Sequence, residues 1–97
     1  MTTPANDAPR LLLTLYVNGT STSSAAALLN LQRICDEELA GRVQLTVVDI
    51  RSDPRALSED HILAVPTLVK RLPPPLRRIV GDLSDRERVL AALDVLP

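Results

Sequence analysis

Three consecutive prolines, Pro73 to Pro75, stand between two apolar, β-like runs and leave the second half of this 97-residue chain few conformations to choose from. Each proline fixes φ and removes a backbone donor, so the triplet makes a stiff turn. Thr67–Leu72 before it reads as a strand, and Leu76–Val80 after it returns as a further strand, antiparallel to the first. Val65-Pro66 ends the preceding segment, because a residue before proline is pushed out of the helical region. Gly81-Asp82 breaks the returning strand. Ser84-Asp-Arg-Glu87 has the form of a capping box, with Ser84 as N-cap and Glu87 three residues on. It opens a helix that carries Val89, Leu90, Leu93 and Leu96 on one face.

The first half alternates strand and helix. Leu11-Leu-Leu-Thr-Leu-Tyr-Val17 is a short, almost continuous apolar run bounded by Asn18-Gly19, which suits a central strand buried on both faces. The Thr/Ser cluster from Thr20 to Ser24 supplies N-cap candidates for a helix through about Leu39, with Gly41 as its stop. Val43, Leu45 and Val47 alternate with polar residues ahead of Val48-Asp49-Ile50, a second strand. Strand, helix and strand within about forty residues make a right-handed βαβ unit. Pro54 starts a short helix running to about His61. The order βαβαββα is an α/β, thioredoxin-like topology, in which Pro66, just before the third strand, is expected to be cis. Residues 1–10 read as a flexible N-terminal tail and residues 11–97 as a single domain.

Several chemistries are excluded by what the chain lacks. Its one cysteine, Cys35, forbids an internal disulfide and a two-cysteine redox cycle. In thiol oxidoreductases of this topology the nucleophile sits at the first helix N-terminus, where the helix field lowers its pKa. Here that place holds Asn18-Gly-Thr-Ser-Thr-Ser-Ser24, and Cys35 falls three turns later on the apolar face, as a buried structural thiol. A serine nucleophile among Ser21 to Ser24 is the chemical alternative to simple capping. His61 is alone, and metal sites need several converging ligands. Asp49, Asp53, Asp82, Asp85 and Asp94 are scattered over caps and turns, and nothing marks an acid/base pair. The chain therefore reads as a non-enzyme that needs no cofactor. A formal net charge of −1, with Tyr16 as the only aromatic, argues against nucleic acid as a partner. The polar N-terminus lacks a signal-peptide apolar region, and no apolar run nears the roughly 20 residues of a membrane span. The expected location is the cytoplasm, away from membranes.

One local charge imbalance stands out. Lys70, Arg71, Arg77, Arg78, Arg86 and Arg88 outnumber Asp82, Asp85 and Glu87. Strand neighbours face opposite sides, so Lys70/Arg71 and Arg77/Arg78 each send one charge to each face of the hairpin. Two readings stay open: a solvated edge whose cations discourage aggregation, or a basic docking surface for an acidic protein.

The chain resembles the KaiB family of clock-associated proteins from about Leu11 to Leu96. The resemblance is carried by Leu-Tyr-Val-Asn-Gly-Thr at 15–20, Val-Val-Asp-Ile at 47–50, Asp53-Pro54 and Ile-Leu-Ala-Val-Pro-Thr-Leu at 62–68. Its most specific part is Leu-Pro-Pro-Pro-Leu-Arg-Arg-Ile-Val-Gly-Asp-Leu-Ser-Asp-Arg-Glu at 72–87. The resemblance implies a non-catalytic regulator with two accessible folds. One is a thioredoxin-like monomer that binds a KaiC-like ATPase, with a KaiA-like protein or a sensor histidine kinase as further partners. The other is a ground-state fold with a rearranged second half, usually tetrameric. A stress-response or sensor-kinase interaction module without a clock role is the alternative function. Partner binding falls to Lys70, Arg71, Arg77 and Arg78, of which Arg77 and Arg78 match the family's Arg-Arg pair. Control of the fold switch falls to Pro66, Pro73, Pro74, Pro75, Gly81, Asp82, Ala92 and Asp94.

Two departures from the family matter. Ala26 and Thr46 stand where basic residues are usual, and His61 where lysine is common; these weaken the implication of clock function and leave that of a KaiC-like partner. Ala92 stands where family members often carry glycine. Alanine is better than glycine inside a helix by about 1 kcal/mol, which favours the thioredoxin-like monomer as the main state.

Overall fold

The computed structural model describes residues 11–39 and 41–95. The expectation of a flexible tail at 1–10 and the place of Leu96 on the last helix lie outside them. The elements run β1 (Leu11–Val17), α1 (Thr22–Glu38), β2 (Val43–Asp49), α2 (Arg55–Glu59), β3 (Thr67–Leu72), β4 (Arg77–Val80) and α3 (Arg86–Ala92). The strands form one sheet in the order β2-β1-β3-β4. β1 pairs parallel with β2 and antiparallel with β3, and β4 returns antiparallel beside β3. This is the thioredoxin-like arrangement expected from the sequence, and not the alternative with a rearranged second half. The Val65–Pro66 bond is cis as expected, and Leu72–Pro73 and Pro74–Pro75 are cis as well.

The helices lie in two layers around the sheet. Leu13, Leu15 and Leu68 of the sheet pack with Ala27, Leu31 and Ile34 of α1 and with Val89, Leu90 and Leu93 at α3. On the other face Tyr16 and Val69 meet Ala56 and Ile62 at α2. β1 is thus buried on both sides, which is why its sequence is apolar almost without interruption. α3 is also fastened to α1 from outside. Arg86 reaches Glu37 at 2.5 Å and Glu38 at 3.3 Å, and the Asn30 side chain donates to the Asp82 carbonyl at 2.8 Å.

Local chemistry shifts several boundaries from those expected. The capping box does not form on Ser84. The Asp82 carboxylate takes the Ser84 N–H at 3.0 Å, which draws Ser84 into the preceding turn. Asp85 becomes the N-cap instead, with extended backbone and its side chain accepting from the Arg88 N–H. β2 stops at Asp49, whose carbonyl accepts from Ser52 and Asp53 in a turn. β4 begins at Arg77, one residue later than expected. Pro54 sits at the N-cap position of α2 rather than in its first turn.

The cap assignment is directly testable. Asp85→Ala should cost about 1 kcal/mol in urea unfolding, whereas Ser84→Ala should be near neutral. Carbon-13 secondary shifts across Arg86–Ala92 should be helical; extended values there would contradict the fold.

Candidate interaction site: a hairpin held by two helix-end aspartates

The place where a thioredoxin-type thiol would stand is occupied by capping chemistry. Ser21 is the N-cap of α1 and accepts from the Ser24 N–H, and its hydroxyl also bonds that of Ser23. The buried Ser24 hydroxyl accepts from the Asn18 N–H at 3.0 Å. These hydroxyls serve the β1–α1 turn, and among the described residues no basic side chain is bonded to any of them, as an activated serine nucleophile would need. Beside the turn, Arg51 pairs with Asp49 at 2.8 Å and holds its carboxyl down to about 2. The pair lies so close to Gly19 that a Cβ there would fall 2.2 Å from the Arg51 guanidinium, so only glycine leaves the pair in place. Cys35 is half-buried rather than fully buried as expected. It packs against the core at the rim of an open groove between α1 and β2, and burial and the neighbouring Asp36 push its thiol up, away from the reactive thiolate.

The basic hairpin is where the ionisable groups converge. In the β3–β4 register Lys70 faces Arg77 and Val69 faces Arg78. Alternation then sends Lys70 and Arg77 to the α3 side and Arg71 and Arg78 to the α2 side, as the sequence implied. Each side meets one aspartate at the end of a helix. On the α2 side, Arg71 pairs with the Asp60 carboxylate in a two-pronged contact and donates to the Tyr16 hydroxyl (2.9 Å) and the Thr14 hydroxyl (2.8 Å). The Tyr16 hydroxyl donates to Asp60, and Arg78 donates to the Asp60 backbone carbonyl at 3.1 Å. On the α3 side, Lys70 donates to Asp94 at 2.5 Å, with Arg77 at 3.4 Å from the same oxygen.

The helix ends that present these aspartates are built alike. At α2, Ile62 N–H returns to the Leu57 carbonyl and His61 N–H to that of Ser58, around a left-handed His61 at φ 54°. At α3, Val95 N–H returns to the Leu90 carbonyl and Asp94 N–H to that of Ala91, around a left-handed Asp94 at φ 62°. Both are Schellman closures, in which glycine is the usual left-handed residue. A carboxylate at a helix C-terminus is also on the unfavourable side of the helix dipole. The cations of the hairpin offset both costs.

The electrostatics follow from this geometry. Arg71, with help from Tyr16, holds the Asp60 carboxyl below its ordinary range, against the opposing effect of burial. Burial and the Asp60 carboxylate push the Tyr16 phenol up. Lys70 and then Arg77 hold Asp94 low.

The site residues named from sequence are therefore sorted by exposure. Lys70 has 0% of its surface exposed and offers nothing to a partner in this fold. β3 is an interior strand with helices on both sides, so the hairpin has no solvated face at that position. Arg71 is half-buried in the Asp60 network. Arg77, with 47% of its side chain exposed, and Arg78 retain outward surface. Pro66 is buried, Pro74 and Pro75 are exposed, and Gly81 adopts φ 119°, a backbone that favours glycine. Ala92 is the last residue of α3 rather than an interior one, and Asp82 caps the turn before Ser84. Tyr16 and Asp60 do not stand out as site residues in the sequence; the signal for them is that the only aromatic of the chain shares a face with a basic strand. Among the described residues there is no cluster of three or more possible metal ligands, and no helix is long and apolar enough to cross a membrane.

This architecture defines a thioredoxin-like domain whose thiol centre is absent and whose charged chemistry is concentrated on a hairpin. Comparison with known proteins agrees: the chain overlays the N-terminal domain of Synechococcus elongatus SasA with a TM-score of 0.73 at 24% identity, covering 99% of this chain and 94% of that one. It overlays mitochondrial thioredoxin 3 of Saccharomyces cerevisiae with a TM-score of 0.72 at 16% identity, covering 91% and 80%. The chain belongs to the KaiB family, whose domain model matches residues 14–95. It is 54% identical over 85 residues to the circadian clock oscillator protein KaiB of Prochlorococcus marinus, covering 88% of this chain and 75% of that protein. It is 43% identical over 91 residues to the circadian clock protein KaiB3 of a Synechocystis strain, covering 94% and 89%. Membership makes it a non-enzymatic protein related to clock components.

Removing the Asp60 carboxylate should expose its role. Asp60→Asn should lower unfolding stability by about 2 kcal/mol at neutral pH, the scale of a hydrogen bond to a charged group. A depressed carboxyl stabilises the fold above its unfolded value of about 3.9 and loses that contribution as pH falls through the folded value. The difference between wild type and Asp60→Asn, followed by urea titration, should therefore shrink below about pH 4. A gap that stays constant down to pH 2 or so would contradict the network.

Proposed function

We propose that this protein is a regulatory binder of a KaiC-like ATPase in a circadian-clock or clock-related system, acting in the cytoplasm. The observation that carries the reading is the family match over residues 14–95, together with relatives named as clock oscillator proteins. The docking surface is the outer hairpin, led by Arg77 and Arg78, because these are the hairpin cations with outward surface. A cationic rim of this kind attracts an acidic partner and sets the rate and register of encounter. A KaiA-like protein or a sensor kinase is a further partner on the same reading. A pull-down from the native cell should recover an ATPase with the wild type and lose it with Arg77→Glu/Arg78→Glu. Recovery of a sensor kinase instead would move the protein to the interaction-module reading. Equal recovery of an ATPase by the mutant would remove the hairpin from the interface.

The same reading includes a second fold, reached by converting the segment that holds Gly81, Asp82, Ala92 and Asp94. Ala92 and Asp94 lie on either side of the C-cap Leu93 at the end of α3, so they act on the stability of that helix end. Ala92→Gly, at the last residue of α3, should weaken that helix by less than the roughly 1 kcal/mol of an interior position, a change that still tells in a closely matched two-state balance. A second set of amide peaks, or a tetramer in size exclusion, is the expected sign. Simple loss of stability with no second folded species would leave a single-fold binder.

A further inference from the structure

Among the described residues, the outer margin of β2 carries free backbone groups and no device to protect them. β2 lies at one edge of the sheet, and its ladder with β1 runs from the Leu11 N–H on the Arg42 carbonyl (2.8 Å) to the Ile50 N–H on the Val17 carbonyl (2.9 Å). A parallel ladder uses alternate residues of each strand. Gln44, Thr46 and Val48 therefore turn their backbone groups inward to β1, and Val43, Leu45 and Val47 turn theirs outward. Among the described residues, none bonds those outward groups.

Native edges are blunted by brevity, lysine, proline or bulges. The opposite margin follows that rule: β4 has four residues, two of them arginine, between a proline triplet and Gly81. β2 does not. Val-Gln-Leu-Thr-Val-Val-Asp is seven residues long, keeps an unbroken register with β1, and bears its only charge at the last position, where Arg51 pairs with it. Val47 is 43% exposed.

We propose that β2 pairs with β2 of a second copy of this chain, antiparallel across a twofold axis at Leu45, joining two four-stranded sheets into one. The strand is complementary to itself in that register. Leu45 faces Leu45, Val43 faces Val47, and Gln44 faces Thr46, so apolar side chains meet on one sheet face and polar ones on the other. Every outward N–H and C=O of Val43, Leu45 and Val47 finds its counterpart. Moving the axis to Thr46 would set Asp49 against Val43, and moving it to Val47 would set Asp49 against Leu45 and Arg51 against Val43. Of these three registers, only the one at Leu45 keeps both charges out of the seam. On the same face as Leu45, a groove of about 530 Å³ bordered by Cys35, Leu39, Val43 and Leu45, with Gln32 and Asp36 on its helix side, leaves room for the partner's Val47 beside Val43.

Sedimentation equilibrium on the full chain should give a monomer–dimer equilibrium. Amide exchange should slow at Val43, Leu45 and Val47 as concentration rises, while α3 stays helical. Val47→Pro removes an outward N–H without touching the β1 ladder and should weaken the dimer about tenfold or more. Val47→Lys, at an exposed side chain, is the second variant should the proline disturb folding, and it should weaken the dimer too. Val43→Glu/Val47→Lys then places opposite charges across each outer pair and should restore what Val47→Lys alone loses. The proposal is overturned if the wild type remains monomeric into the millimolar range. It is equally overturned by a dimer or tetramer indifferent to Val47→Pro and Val47→Lys, or by amide exchange at the three residues that ignores concentration.

Discussion

The second half of this protein is organised by two carboxylates that grip opposite faces of one hairpin. Asp60 and Asp94 each end a helix, and each binds cations from both hairpin strands. Without them the strand β3 would carry a buried ammonium and a half-buried guanidinium with no counter-charge, a far larger cost than any exposed pair could offset. With them, α2 and α3 are positioned on either side of the sheet by ionic contacts that the short helices could not replace through apolar area alone. α2 has five residues and α3 has seven, too few to be stable by themselves.

That dependence separates this domain from the redox proteins it overlays. A thioredoxin-like scaffold offers a helix N-terminus facing the proline before β3, where a thiolate would be stabilised. Here the serines of that turn satisfy backbone donors instead, and the polar density has moved to the hairpin. Chemistry at a fixed point has given way to charge spread over a surface, which suits recognition of another protein.

Much of this was legible from short-range pattern. The apolar run Leu11–Val17, the proline punctuation and the Thr/Ser cluster each dictate local structure, and strands and helices follow within a residue or two. What escaped depends on distance or on competition between neighbours. Tyr16 and Asp60 are 44 residues apart, and no local pattern joins them. Ser84 and Asp85 are both good caps, and the choice between them is made by Asp82, outside the motif. Lys70 reads as a surface charge by type, and its burial follows only from the tertiary arrangement, in which β3 is an interior strand and α3 covers the face that Lys70 points to. Cys35 looks like core by spacing, yet α1 overhangs an edge strand at that point, so one side of the thiol faces a groove.

The burial of Lys70 has a consequence for how the molecule opens. The contact between its ammonium and Asp94 closes a stretch that runs from the middle of β3 through β4 to the end of α3 in unbroken sequence order. Should the end of α3 fray, the ammonium loses its counter-charge while still beneath the sheet, and it reaches water only if the strands part as well. Small excursions at the last helix are thereby coupled to separation of the entire segment from β1. The C-terminal third should behave as one cooperative unit, exchanging its amides together rather than from the end inward.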